Sequence, residues 1–429
     1  MSEALTGPRV RADRLLGQIA STVLLVTLAL GLVVPKLAGA GFLMLALLSL
    51  IWLESAYRHR RIGLQSVERT LYFVIAAFVL VWLASWWLHG LDPVGSESVG
   101  RILRLLMIIP LVLFLSRIED LQRSWWLGLA LGAMASGLYA LWFTITGETG
   151  DWDGRVGGPT NPIYFGGIVL AFGLMLLPRI TDEHLPAVHR MMAAAGVIMA
   201  ILASALSGSR GAWIAFPLLL LLYVVRPVHQ QRAWLRLVLP VSIVFVAIAI
   251  SLLPIAQLGE RFGTGWEGLM ALLNGQKPGG TLGIRIDLWQ VAVQAIRDAF
   301  LFGGGPGYFR SALEQAVAAG QVDPYLLRYH HPHNQFLSAL LIGGIPGLIS
   351  LVLMLGCPLL LFTRAWLGAS ASQRAMAWCG LTSLIVLFVM MLSESIFQRN
   401  NGIVWFVVLL AVNAALVLSQ RATAQPGDG

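Results

Sequence analysis

The run Tyr329-His330-His331-Pro332-His333-Asn334-Gln335 stands at the start of a long apolar segment. Histidine is the side chain best suited to take a proton near neutral pH, and Asn334 or a nearby carboxylate could orient its ring, so the run offers a general base. Three histidines also bring zinc to mind, but no cysteine and no obvious fourth ligand accompany them, and the spacing matches no zinc pattern. For His330 and His331, capping a helix at the membrane interface is a full alternative. His333 begins the next apolar segment and is expected to face the inside of a helix bundle.

Arginine is the second candidate for chemistry. Of the 29 basic residues, 27 are arginine, and several stand beside glycine and serine, as in Ser207-Gly208-Ser209-Arg210-Gly211-Ala212-Trp213 and Leu282-Gly283-Ile284-Arg285-Ile286-Asp287. A guanidinium is a planar fork of donors that fits phosphate oxygens, and small neighbours let an anionic headgroup approach the backbone. Arg210 and Arg285 are therefore expected to clamp a diphosphate, against the alternative of an arginine reaching out to lipid headgroups. Arg101 and Arg104, three residues apart on one helical face, could add a second anion contact, or serve topology alone. Glu394 and Arg399 flank the turn between the last two apolar runs, where a mutual ion pair closing the turn is the simplest expectation.

What the sequence lacks narrows the reaction class. Asp151 and Asp153 stand alone in a glycine-rich stretch and make a poor site for a hard cation, so no metal is expected. Gly303-Gly304-Gly305-Pro306-Gly307 has neither the lysine nor the preceding strand of a phosphate loop, and no nucleotide or other cofactor is expected. The formal charge of +8 is explained by arginines in short loops, and no basic tract is interleaved with aromatics, so nucleic acid is not an expected partner.

The elements that must position these residues are membrane helices. A composition 57% hydrophobic and 12% charged cannot coat a soluble domain of this size. Apolar runs predict about twelve spans, near Leu15–Val34, Ala38–Glu54, Thr70–Leu88, Arg101–Ser116, Trp125–Thr146, Pro162–Pro178, His189–Leu206, Ala212–Val225, Leu235–Ile255, Gln335–Phe362, Ala375–Leu392 and Gly402–Leu418. Gln335–Phe362 is too long for one straight crossing, and Gly343-Gly344-Ile345-Pro346-Gly347 predicts a break or tilt in it. The expected fold class is thus all-α and polytopic: residues 1–429 form a single transmembrane domain, with a long outer loop at 256–332 between the ninth and tenth spans. In that loop, Leu288, Val291, Ala292, Ala295, Ile296 and Ala299 predict a helix over Asp287–Ala299, and a second is expected over Tyr308–Ala319. With both termini cytoplasmic, 17 of the 29 basic residues fall on the inner side, all in short loops or tails.

His333-Asn334 followed after nine residues by Gly344-Ile345-Pro346-Gly347 resembles the His-Asn-x9-Gly-x-x-Gly signature of bacterial O-antigen ligases. The Ser-Gly-Ser-Arg-Gly-Ala-Trp segment, the arginine-led helix at Arg285–Trp289 and the run Phe302-Gly303-Gly304-Gly305-Pro306-Gly307-Tyr308-Phe309 are similar to the region shared by the O-antigen ligase and polymerase superfamily. The likeness covers about Ser207 to Gly347. It implies a GT-C-like glycosyltransferase of the bacterial inner membrane with its site facing the periplasm. The donor it implies is a glycan linked to undecaprenyl diphosphate, the acceptor is lipid A–core oligosaccharide, and transfer is inverting and metal-independent, in lipopolysaccharide biosynthesis. By the same resemblance His333 is the base, and Arg210 and Arg285 hold the diphosphate. Arg155, Asn161, Asn334, Arg101, Arg104 and Arg328 are further candidates for donor and glycan contacts, which the resemblance does not assign. Membrane lipids are further partners. The alternatives are an O-antigen polymerase, a protein O-oligosaccharyltransferase and, more distantly, a transporter of lipid-linked anions.

Overall fold

The computed structural model describes residues 8–59, 66–91, 93–148, 154–209, 211–225, 241, 244, 267–268, 270–368 and 370–424. Among them there is no strand. The helices are α1 (Pro8–Leu30), α2 (Leu37–Arg58), α3 (Ser66–Leu88), α4 (Pro93–Leu103), α5 (Ile108–Leu115), α6 (Leu121–Thr146), α7 (Pro162–Met175), α8 (Leu177–Ile180), α9 (Ala187–Leu206), α10 (Ala215–Val225), α11 (Gly280–Asp298), α12 (Tyr308–Ala318), α13 (Gln335–Trp366), α14 (Ala371–Met391) and α15 (Asn400–Ala424). Among the described residues ten helical stretches are long and apolar enough to cross a membrane, so the chain is an all-α polytopic membrane protein. They match ten of the twelve expected spans. The eighth, Gly211–Val225, is a shorter apolar helix, and the ninth, Leu235–Ile255, lies almost wholly outside the described residues.

The fourth span starts earlier than hydropathy indicated. Its helix begins at Pro93, passes through a 3-10 turn at Arg104–Met107 and continues as α5, so Arg101 and Arg104 lie inside the helical stretch rather than at its end. Proline is preorganised for a first turn, and this one admits Gly95, Ser96, Glu97 and Ser98 into the helix although they are too polar to register as a span.

α15 is apolar on every side and lies at the centre, with Trp405, Phe406 and Val407 fully buried. α14 and α7 flank it, and α5 and α2 pack on it from the other direction. α1, α6 and α9 form an outer layer, and α3 lies along α13.

The outer loop folds as its pattern predicted. Leu288, Val291, Ala292, Ala295 and Ile296 of α11 are buried against Phe309, Leu313 and Ala316 of α12, with Leu326 and Leu341 closing this small core. Leu341 belongs to α13, so the loop helices are seated on the start of a membrane helix.

At that seat α13 is broken, as expected. Gly344 has φ 58° and ψ −145°, a conformation that only glycine adopts without strain, and Pro346 two residues later has no N–H for the carbonyl of Ile342. The glycine-rich turn after α11 supplies what the break removes. Gly304 N–H donates to Leu341 O at 2.8 Å, Gly305 N–H to Ile342 O at 3.2 Å, and Ile345 N–H donates back to Leu301 O at 3.2 Å, while Ser85 of α3 adds its hydroxyl to Ile342 O. The approach is close enough that a Cβ on Gly344 would lie 2.4 Å from Leu301 O, and one on Gly303 2.4 Å from Ile342 O. The run Gly303–Gly307 is thus a backbone splice between loop and span.

Candidate active site

The polypeptide turns sharply as it enters α13. Pro332 biases His331 toward extended backbone, and its carbonyl accepts from Trp289 Nε1 at 2.9 Å, which pins the turn to α11. His333 follows in the left-handed region at φ 51°, which is strained for a residue with a Cβ. Asn334 then caps the helix, its side-chain oxygen accepting from Phe336 N–H at 2.9 Å and Leu337 N–H at 3.0 Å. Its amide donates to Leu392 O at 3.0 Å.

That last bond reaches the segment between α14 and α15, and others follow it. Gln335 Oε1 accepts from Phe397 N–H at 2.9 Å, and the Ser338 and Ser395 hydroxyls lie 2.9 Å apart. The first turn of α13 and residues 392–397 are therefore fixed as one unit. Glu394 stands in its middle, with a side chain 2% exposed. One carboxylate oxygen, Oε2, lies 3.1 Å from His333 Nδ1; the other, Oε1, accepts from Ser395 N–H at 3.0 Å and lies 3.8 Å from His331 Nδ1.

Burial pushes the Glu394 carboxyl up, but the hydrogen bond from His333 and the electrostatic pull of His333, His331 and Arg399 outweigh it and hold the group down at about 2. Glu394 is ionised at neutral pH. His331 goes the other way: burial takes it down to about 3 against the pull of Glu394, so it is a neutral ring in contact with His333, their centroids 4.4 Å apart. Tyr329 meets the His333 ring edge-on at 5.3 Å. Arg285 of α11 is half-buried within electrostatic range of both Glu394 and Tyr329, and burial lowers its guanidinium from the ordinary value.

His331, His333 and Glu394 each offer one ligand atom, all within 4.8 Å of one another, so this group could hold a metal ion. Its chemistry favours another use. An ionised carboxylate only accepts, so the short approach of His333 Nδ1 to Glu394 is that of a donor to an acceptor. The free nitrogen of His333 is Nε2, buried with no hydrogen-bond partner.

The other expected residues divide. Arg285 lies within electrostatic range of Glu394, the partner of His333, whereas Arg210 lies outside the described residues. The flanking Ser207 and Ser209 are buried, with Ser207 O accepting from Arg155 Nε at 3.0 Å. Asn161 and Asn334 are helix caps, Asn161 accepting from Tyr164 N–H at 2.9 Å, a backbone role that their type did not single out. Arg328 is exposed and lies over the rings of Tyr325 and Tyr329. Arg104 donates to Asn400 Oδ1 at 2.8 Å and Arg101 to Ser98 Oγ at 2.7 Å, in a second basic region that includes Arg399. The expected Glu394–Arg399 ion pair does not form: Glu394 is turned inward to the histidines and Arg399 is exposed. Glu394 as the partner of His333 is what sequence reasoning missed. Its signal was an acid between two serines where two strongly apolar helices meet.

A buried histidine–carboxylate pair at one end of a helical membrane protein, within electrostatic range of an arginine, is an arrangement suited to moving a proton beside an anion. Comparison with known proteins adds to this. A family model described as O-antigen ligase matches residues 194–352, so this stretch, which holds Arg285 and His333, is similar to that family. An uncharacterised protein of Haemophilus influenzae is 21% identical over 381 residues, covering 87% of this chain and 92% of that protein.

Proposed function

We propose that the protein is an O-antigen ligase that transfers the glycan from undecaprenyl diphosphate to a sugar hydroxyl of lipid A–core oligosaccharide, with inversion and without metal. The observation that carries this reading is the buried His333–Glu394 pair with Arg285 within electrostatic range of it. His333 Nε2 takes the proton of the acceptor hydroxyl, whose oxygen attacks the anomeric carbon from the face opposite the diphosphate. The anomeric C–O bond breaks, and its electron pair leaves on undecaprenyl diphosphate. Arg285, together with Arg210, binds the diphosphate and meets the charge that grows on it, which counts for most where water is partly excluded. The glycosyl-diphosphate bond supplies the driving force, so no nucleotide is consumed. In this reading residues 1–429 form one transmembrane domain of the inner membrane, both termini are cytoplasmic, and the loop at 256–332 covers the donor headgroup in the periplasm. The distribution of arginines supports that orientation.

The test is transfer in detergent with purified protein, an undecaprenyl-diphosphate glycan, rough lipopolysaccharide and EDTA, beside His333→Ala. The expected result is a lipopolysaccharide band shift that survives EDTA and falls about 10²–10⁴-fold in the variant. Lengthening of the lipid-linked donor in place of a shift makes the protein a polymerase. An inert donor, or full activity in His333→Ala, removes the proposed chemistry.

A further inference from the structure

Glu394 is held more firmly than a residue that merely closes a turn needs to be. Residues on both sides of it are tied to the first turn of α13, through Asn334 to Leu392, Ser338 to Ser395 and Gln335 to Phe397, so its carboxylate faces His333 from a fixed position 61 residues along the chain. Both of its oxygens are committed. Oε2 receives His333 Nδ1 at 3.1 Å and Oε1 receives Ser395 N–H at 3.0 Å. Only a group with two acceptors satisfies both donors, and Ser395 is itself buried, so its N–H needs one.

Resting on the reading of His333 as the base, we infer that Glu394 is the positioning residue that keeps the His333 proton on Nδ1, so that Nε2 presents its lone pair to the acceptor hydroxyl. The proton of that hydroxyl passes to Nε2 as the glycosyl bond forms, and Glu394 stays ionised beside the imidazolium so produced. The Ser-His-Asp triad assigns its carboxylate the same two tasks, tautomer choice and charge stabilisation.

The substitution that tests this is Glu394→Gln. An amide of the same shape has one acceptor and one donor end. If its oxygen meets Ser395 N–H, its NH2 faces His333 Nδ1 and drives the ring proton to Nε2; if its oxygen meets His333, two N–H groups confront each other at Ser395. The first is the smaller disruption, and it yields the wrong tautomer. The expected result is a fall in kcat of about 10²–10⁴-fold, the range of tautomer loss and of lost base catalysis. The KM for donor stays within about threefold, because binding is unaffected. Glu394→Asp, which keeps two acceptors on a shorter stem, recovers at least about tenfold of the loss.

A structural role is separated in two ways. In a cycle with His333→Ala, Glu394→Gln should cost nothing further, since a residue acting through His333 has nothing left to act on, whereas a general loss of fold would add. In the wild-type protein, ¹⁵N resonances of labelled histidine, assigned by their loss in His333→Ala, should show Nδ1 protonated and Nε2 bare, and this needs no Glu394 variant to fold. Near-wild-type kcat in Glu394→Gln, an additive cycle or a ring protonated at Nε2 overturns the inference and leaves His333 as base. Full activity in His333→Ala overturns both.

Discussion

The centre of the bundle and its outer end are built on opposite terms. Around α15 the contacts are shape alone: Trp405 meets Phe172 edge-on at 5.6 Å and Phe397 meets Phe406 at 4.9 Å, in a pack where Asn413, bonded to Ser383 Oγ at 3.1 Å, is a buried polar exception. Where α13 meets residues 392–397 and the glycine-rich turn, almost every contact is a donor matched to one acceptor, and the backbone itself is broken to make room. Apolar packing accepts another side chain of similar volume at small cost. A buried donor that loses its acceptor has no substitute, so the outer end is where single changes should act on chemistry.

The sharpest contrast within the outer end is between two arginines. Arg285 stands half-buried within electrostatic range of Glu394, while Arg328 is exposed over two tyrosine rings, its Nη1 2.6 Å from Tyr325 OH. Replacing Arg285 by Ala should lower kcat/KM for donor about 10²–10³-fold, as expected for one donor removed from a site of developing negative charge. Lys should restore only part, since the fork is lost. Arg328→Ala should change the rate by roughly twofold at most, as for an exposed cation–π contact. Steady-state transfer kinetics on the three variants decide the matter, and equal losses at both arginines would mean that both touch the donor.

The second contrast lies along α13 itself. Gly344 has positive φ and a carbonyl 2.4 Å from where its Cβ would be, whereas a Cβ at Gly356, on the same helix, meets nothing within 4 Å. Gly344→Ala should destabilise the purified protein by about 1–3 kcal/mol and reduce transfer by displacing the His333 turn. Gly356→Ala should be neutral or stabilise by up to about 1 kcal/mol. Thermal unfolding in detergent measures both, and equal midpoints would show that the splice between loop and span is not under strain.

These comparisons also mark what could be read from the chain. The loop helices were legible because Leu288, Val291, Ala292, Ala295 and Ile296 repeat at helical spacing, and the break in α13 because Gly344 and Pro346 can each be judged without knowing a partner. His333 was legible by its type and place. Glu394 was not, because its meaning depends on a contact across 61 residues, and its nearest cation in sequence, Arg399, suggested a different pair. The capping roles of Asn161 and Asn334 were hidden for a related reason: which backbone N–H a polar side chain meets is settled only once the helix start is placed.

The smallest expected effect concerns His331, which sharpens the picture of the outer end without touching the reaction. It is buried against Glu394 and His333, with Arg399 and His330 also acting on it electrostatically. Burial holds its folded value at about 3 against an ordinary 6.5, so as pH falls below 6.5 the unfolded chain takes up this proton and the folded chain does not. Stability should therefore decline from pH 6.5 downward, the full contribution being present above that value. Glu394, held at about 2 against an ordinary 4.5, adds a loss of the same sign, but only below pH 4.5. His331→Asn should flatten the decline most between pH 6.5 and 4.5, where His331 acts alone, and only in part below it, where Glu394 still contributes; unfolding midpoints at pH 7.5, 5.5 and 4 would resolve this. An unchanged slope in that variant would mean that His331 titrates in the folded protein as it does in water, and that its burial between Glu394 and His333 opens more readily than the packing around α15.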